Sequence, residues 1–245
     1  MNNNTNRDAD FSIGMSREEL ELRRSLREGE TLISDRLFHL IFGGTLLWGF
    51  LVNFLLVQNF TKPMVRLVYG SGAVGIILMM VLYFVCAIAG SRMMHSGGLM
   101  TSFIGFNLIA IPVGLLVSVA IYGYEPTLVL HALTLTLLAT AIMTLLGALF
   151  PQFFLGLGQL LFIALGACLI SSLVCSLLFR SWAFAVEDWI VAGLMCLYIG
   201  YDWSRLGVCA RTANNAVDMA AALYLDIVNL FLRILRIMAR SRSRN

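Results

Sequence analysis

The sequence predicts an all-α, polytopic integral membrane protein in which six spans surround a seventh, C-terminal helix with a polar stripe. Of its 245 residues, 59% are hydrophobic and 13% are charged, and the mean hydropathy is +0.85. A soluble domain of this size would expose too much apolar surface to stay dispersed. Only eight of the 31 charged residues lie between Leu37 and Ser204, and such a sparsely charged middle is typical of polytopic membrane proteins.

Residues 1–36 are the first element, a polar tail that ends in a short juxtamembrane helix. Ser16 fits a helix N-cap with the acidic Glu19 three positions later, and the charged helix is expected to run to about Glu28. The tail has no short apolar core followed by a small-residue cleavage site. We therefore expect the first span itself to direct the chain to the membrane.

Six apolar segments follow the tail. At about 1.5 Å per residue, each is long enough to cross roughly 30 Å of hydrocarbon. The loops between them are very short, so successive helices are expected to be antiparallel neighbours. The segments cover residues 37–58, 67–90, 99–122, 127–149, 155–179 and 184–206.

The seventh segment, residues 214–238, completes a transmembrane domain of residues 37–238 and precedes a basic tail, residues 239–245. Its polar residues fall on one helical face at about 100° per residue. Such a helix can lie flat on the membrane, or it can stand among the other helices and line a polar path. Arginine occurs only at its far end, which favours insertion. The polar residues are Asp218, Asp226, Asn229, Arg233 and Arg236.

The distribution of Lys and Arg favours a cytoplasmic N-terminus. With seven full spans, nine of these residues lie on the inner side and eight on the outer side. If the last helix does not cross completely, the C-terminal arginines move inside and the bias becomes strong. The charge pattern therefore leaves open whether the seventh helix spans.

Two acidic residues, Asp202 and Asp226, lie in the last two apolar segments and are the leading site candidates. An ionised carboxylate in hydrocarbon costs roughly 2.5–3.5 kcal/mol even on a lenient scale. The parity of the spans puts both on the side where the second span ends at Arg92. Two nearby carboxylates cannot both ionise cheaply and titrate as a unit, and a guanidinium would lock the ionised form until protonation releases it. The alternative is a static ion pair that clamps helices together.

The other sequence motifs do not indicate a catalytic or ligand-binding site. The glycines at 70, 72 and 75 have the spacing of a dinucleotide-binding motif but not its structural context, because they open a membrane span and no strand precedes them. Close helix packing explains these glycines better. The five cysteines lack metal-ligand spacing. The sequence contains no catalytic triad and no phosphate loop. We therefore expect no enzyme, no cofactor and no nucleic-acid partner, with Ca²⁺ at most a transient ligand of Asp202 and Asp226.

The stretch Leu-Tyr-Leu-Asp-Ile-Val-Asn-Leu-Phe-Leu-Arg-Ile-Leu-Arg-Ile at 223–237, with the Tyr201–Asp202 pair, resembles the closing motifs of the Bax-inhibitor (transmembrane Bax-inhibitor-motif, YccA-like) family. The resemblance implies seven helices with the last one surrounded by the others. It also implies a pH-sensitive calcium leak, with the two aspartates as sensor and gate and Arg92 as latch. The chain departs from the family pattern at 150–154, where a Thr and a basic–acidic pair are usual, and near Val81, where some members carry an acid.

Three functions are compatible with these observations. The first is a cation leak channel, for Ca²⁺ in particular, gated by protonation of Asp202 and Asp226, with Asp218, Asn229 and Arg233 as its polar path. The alternative is a non-conducting regulator that binds membrane proteases or other membrane proteins through residues 1–30. A proton-coupled transporter would need broken inverted-repeat helices, which the sequence does not show. The minimal loops suggest the inner membrane of a bacterium, with the lipid bilayer as the surrounding partner.

Overall fold

The computed structural model describes residues 31–94, 98–178 and 182–242. Within them the chain is helical and the only β contact is an isolated antiparallel bridge between Leu32 and Thr212. The predicted juxtamembrane helix and the 243–245 end of the basic tail lie outside the described residues. The described helices are α1 (Asp35–Gly70), α2 (Ala73–Met94), α3 (Leu99–Ala120), α4 (Pro126–Leu149), α5 (Pro151–Gly156), α6 (Gly158–Leu178), α7 (Trp182–Val208) and α8 (Ala213–Arg242).

Four helices have the length and apolar composition needed to cross a membrane: α1, α2 from Val74, α3 and α4. Many large apolar side chains on them are exposed, such as Leu40, Phe54 and Val74. In water such an apolar surface would favour aggregation, whereas in a bilayer it can contact the lipid chains. The molecule is therefore a helical, multi-pass membrane protein, and spans by α6, α7 and α8 stay a prediction.

The first helix is longer than its predicted span. Residues 59–66 were expected to form a loop, but α1 continues through them to Gly70 with Pro63 inside it. Two side chains near the proline bond back to the helix: Asn59 Nδ2 donates to the Leu55 carbonyl at 2.8 Å and Thr61 Oγ1 to the Val57 carbonyl at 2.6 Å. The change to polar composition after residue 58 therefore does not end the helix.

The last helix, α8, lies at the centre of the bundle. It packs against α7, α1, α4 and α3 and touches α2 at one edge, whereas in the described residues α6 contacts only α5 and α7. The predicted central helix is thus present, with five neighbours in place of six. Its 30 residues extend for about 45 Å. Asn214 near its start bonds to Ser102 at the start of α3, and Arg242 at its end pairs with Glu125 before α4.

A buried aromatic cluster holds α8 against α1 and α3. Tyr224 of α8 is fully buried, and its ring packs against Phe50 and Phe106 with centroids 5.7 and 5.6 Å apart. Its hydroxyl donates to Asn53 Oδ1 at 2.8 Å. A phenol is favourable in an apolar core only when its hydroxyl finds a partner. This bond fixes the rotation of α8 and so determines which face it presents to α7.

Small residues allow the helices on either side to approach closely. A Cβ on Gly147 of α4 would lie 2.5 Å from the carbonyl oxygen of Gly200 in α7, and Ser204 Oγ donates to the Gly147 carbonyl at 2.9 Å. Gly90 of α2 and Gly105 of α3 make a similar contact. Close approach through glycine is a common way to join membrane helices. The α4–α7 contact lies half a turn from Asp202.

Candidate functional site

A cavity of about 600 Å³ lies between α2, α7 and α8 at the end of the bundle where α8 begins. Polar and apolar surface contribute almost equally to its wall. Its polar lining consists of Tyr83, Ser91, Arg205, Asn215 and Asp218. Asp218, predicted as the first residue of a polar path, is therefore part of a concave surface that holds charges of both signs.

The thiol of Cys209 also borders this cavity, just after the end of α7. Burial raises the pKa of this thiol, and the nearby Arg211 and Arg205 only partly oppose the effect. A thiol that stays protonated is a poor nucleophile and a poor metal ligand. Cys209 therefore contributes a small, neutral surface to the cavity.

The structure brings Asp202 and Asp226 together next to the cavity, one turn before Arg205 and directly after Leu225, which both line it. α7 and α8 run antiparallel, and the two carboxyl groups are close enough to act on each other. Asp202 is 7% exposed. The second oxygen of Asp226, Oδ2, is buried and has no hydrogen-bond partner among the described residues. Two neighbouring carboxyl groups can form a hydrogen bond only when one of them carries a proton, so this arrangement is suited to sharing a proton.

Both acids lie within their helices and not at the helix ends. Asp226 is thirteen residues into α8, about 20 Å from its start, and Asp202 is six residues before the end of α7. Tyr198, one turn before Asp202, is close enough for both carboxyls to act on it electrostatically. The pair therefore lies inside the bundle with a partly exposed phenol beside it.

Two arginines compete for the role of the cation that acts on this pair. Arg92, the predicted latch at the end of α2, has an exposed side chain and forms no salt bridge with either aspartate in the described part of the chain. Arg205, one turn after Asp202 on α7, supplies the positive charge that acts on Asp202. Arg205 also forms no salt bridge with either aspartate in the described residues, so its effect on Asp202 is through charge alone, and a latch role for Arg92 stays a prediction.

The far end of the polar stripe contains acids that the sequence interpretation missed. Arg233 Nη1 lies 2.7 Å from Asp188 Oδ1 and 3.6 Å from Glu187 Oε1. Glu187 and Asp188, near the start of α7, are 7% and 1% exposed. The excess of arginine at the end of α8 was the signal that could have predicted them, since buried charges need counter-ions. Asn229, between this end and Asp226, is exposed.

The acid pair supplies fewer oxygen ligands than a bound Ca²⁺ takes. Ca²⁺ takes six to eight oxygen ligands, and no group of three or more His, Cys, Asp or Glu side chains occurs among residues 31–94, 98–178 and 182–242. Two carboxyls supply only part of such a shell. His95, which lies close to Arg92 in sequence, falls outside the described residues.

Residues 35–243 match a family model described as "Inhibitor of apoptosis-promoting Bax1". No match to a curated protein is found. The matched segment includes all eight described helices and every residue of the acid pair, the cavity and the charged far end of α8.

Proposed function

Because the chain belongs to the Bax inhibitor family, we propose that it is a pH-sensitive leak pathway for cations, Ca²⁺ in particular, with Asp202 and Asp226 as its gate. One observation carries this proposal: two carboxyl groups on neighbouring helices lie close together beside a cavity with a charged lining. A buried acid pair is costly unless its protonation is used.

The cavity supplies the first half of the path. A cation entering it meets Asp218 on the wall and then the acid pair, whose oxygens are the ligands that hard divalent cations prefer. The opposing charge of Arg205 keeps the cavity from holding cations tightly. Weak binding favours passage, because an ion must leave the site as readily as it enters.

Protonation would act at the contact between Asp202 on α7 and Asp226 on α8. With one proton between them, the two carboxyl groups can form a charge-assisted hydrogen bond that joins the helices, and Arg205 favours the ionised form of Asp202. A second proton removes the negative charge and weakens that bond, so the end of α7 can move away from α8. The leak should therefore rise as the pH falls through the neutral range.

The test is Ca²⁺ flux from liposomes that contain the purified protein. We expect the flux to change steeply between about pH 6 and pH 8 and Asp226→Asn to flatten that response. An amide at position 226 can still donate a hydrogen bond to Asp202 but cannot titrate. Glu125→Gln, which removes an exposed acid at the far end of the bundle, is the matched control and should titrate like the wild type. A folded protein without flux at any pH would refute the proposal.

The second candidate, a non-conducting regulator of membrane proteases or other membrane proteins, is favoured by the placement of the N-terminal segment. Ile33 N donates to the Arg211 carbonyl at 2.8 Å, and Arg211 pairs with Asp35 at 3.1 Å. The chain before residue 31 thus emerges next to the α7–α8 connection. Deleting residues 1–30 separates the two candidates, because a regulator should lose partner capture while a leak should keep its flux.

The proposal also concerns catalysis, cofactors and the membrane in which the protein lies. We propose that the chain is not an enzyme and needs no resident cofactor, since the polar groups of the cavity suit ion passage and its bordering thiol stays protonated. We also propose the bacterial inner membrane as its location, on the basis of the very short loops. Fractionation of the native host's membranes tests the location.

A further inference from the structure

Three arginines at the end of α8 converge on one buried aspartate of α7. Arg233 and Arg240 each place Nη1 2.7 Å from an oxygen of Asp188, and Arg236 Nη2 lies 3.6 Å from Asp188 Oδ1. Their spacing of three and four residues puts them on one helical face. Asp188 is therefore the shared anchor of this arginine cluster, which joins the start of α7 to the end of α8.

The cluster carries more positive than negative charge. Three guanidinium groups face the carboxyl groups of Asp188 and Glu187, and both oxygens of Glu187 are buried without a hydrogen-bond partner among the described residues. A guanidinium stays charged at any physiological pH. The local field therefore opposes a cation whatever the protonation state of the acid pair.

The arginine cluster lies beyond the acid pair along α8, on the side away from the cavity. Arg233 follows Asp226 by seven residues, two turns or about 10 Å along α8, on the side of the pair remote from the cavity. Both residues lie on the polar face of α8, and their partners Asp188 and Asp202 both belong to α7. A cation that passes the acid pair and continues along this face must meet the arginine cluster.

We infer that the arginine cluster is a second gate, which bars cations at the end of the path opposite the cavity. The inference rests on the proposed leak function and adds to it residues that control passage and charge selectivity. The acid pair responds to protons, whereas the arginine cluster opens only when α7 and α8 separate at this end or when the positive charge is removed. The competing explanation is a static clamp that stabilises the bundle without affecting flux.

The experiment compares Arg233→Gln, Arg240→Gln and their double variant in the liposome flux assay, with the melting temperature of each variant measured in parallel. Arg242→Gln is the matched control, because Arg242 lies on the same helix end but pairs with the exposed Glu125. We expect a several-fold higher leak in the two single variants and more in the double variant, with the pH midpoint unchanged. Arg240→Lys, which keeps the charge, should restore most of the barrier.

The outcomes separate the gate from the clamp and from the leak itself. A lower melting temperature with wild-type flux identifies a clamp and overturns the inference. If the wild type shows no flux at any pH, the proposed leak fails and the gate falls with it. Should the double variant not fold, Arg236→Gln decides the question, because Arg236 is 43% exposed and makes the longer contact of 3.6 Å. A leak through this variant supports the gate, and wild-type flux refutes it.

Discussion

Gly147→Ala should destabilise the protein by forcing α4 away from α7 beside the acid pair. The new Cβ would lie 2.5 Å from the carbonyl oxygen of Gly200, whereas ordinary van der Waals contact begins at 3.4 Å. The helices must therefore separate by about 0.9 Å, and overpacking of this kind costs about 1–3 kcal/mol. The separation would also stretch the 2.9 Å bond from Ser204 Oγ to the Gly147 carbonyl.

Thermal melting in detergent measures this cost, with Gly44→Ala as the control. Nothing lies within 4 Å of a Cβ on Gly44, so alanine there should stabilise α1 by up to about 1 kcal/mol through its higher helix propensity. Gly147→Ala gains the same propensity but meets the clash, so the difference between the two variants isolates the clash. For a chain of this size, that difference corresponds to about 2–12 °C in melting temperature. If both variants melt together within about 1 °C, the close α4–α7 contact is not present.

Two further predictions concern the latch and the core. Arg205→Gln should raise the leak at neutral pH and weaken its pH response, because it removes the cation that acts on the acid pair. Arg92→Gln should leave the leak and its pH response nearly unchanged. The opposite result in the flux assay would return the latch role to Arg92. Tyr224→Phe should lower the free energy of unfolding by about 1–3 kcal/mol, because the buried Asn53 oxygen loses its donor. The exposed Tyr69→Phe is its control, and equal melting temperatures of these two variants would contradict a buried hydrogen bond.

Hydropathy predicted most of the helices, because a segment that crosses lipid must be apolar. It could not predict where each helix ends. The apolar segment expected at 127–149 is nearly identical to α4, which begins at Pro126. In contrast, α1 continues for twelve residues beyond its expected end at 58. Helix continuation depends on backbone bonding, which Asn59 and Thr61 supplement near Pro63, and hydropathy does not report that bonding.

Antiparallel order alone predicts that Asp202 and Asp226 lie towards the same end of the bundle. Their depths differ, because Asp202 is six residues from the end of α7 and Asp226 is thirteen residues from the start of α8, so their contact also depends on how the two helices pack. The arginine cluster was not predictable in the same way. Whether Arg233 contacts Asp188 depends on the rotation of α8, which the buried bond from Tyr224 to Asn53 helps to set. Rotation is a property of packing among several helices and is not visible in one helix's sequence.

The bridge between Leu32 and Thr212 connects the segment before α1 to the connection between α7 and α8, so that a force on this segment can act on both helices. The bridge, the Ile33–Arg211 hydrogen bond and the Asp35–Arg211 ion pair join the segment before α1 to the connection between α7 and α8. Tension on the tail would reach this connection first, and α7 and α8 are the helices that carry the acid pair. A protein that grips the tail would therefore pull on the same two helices that a proton is proposed to release.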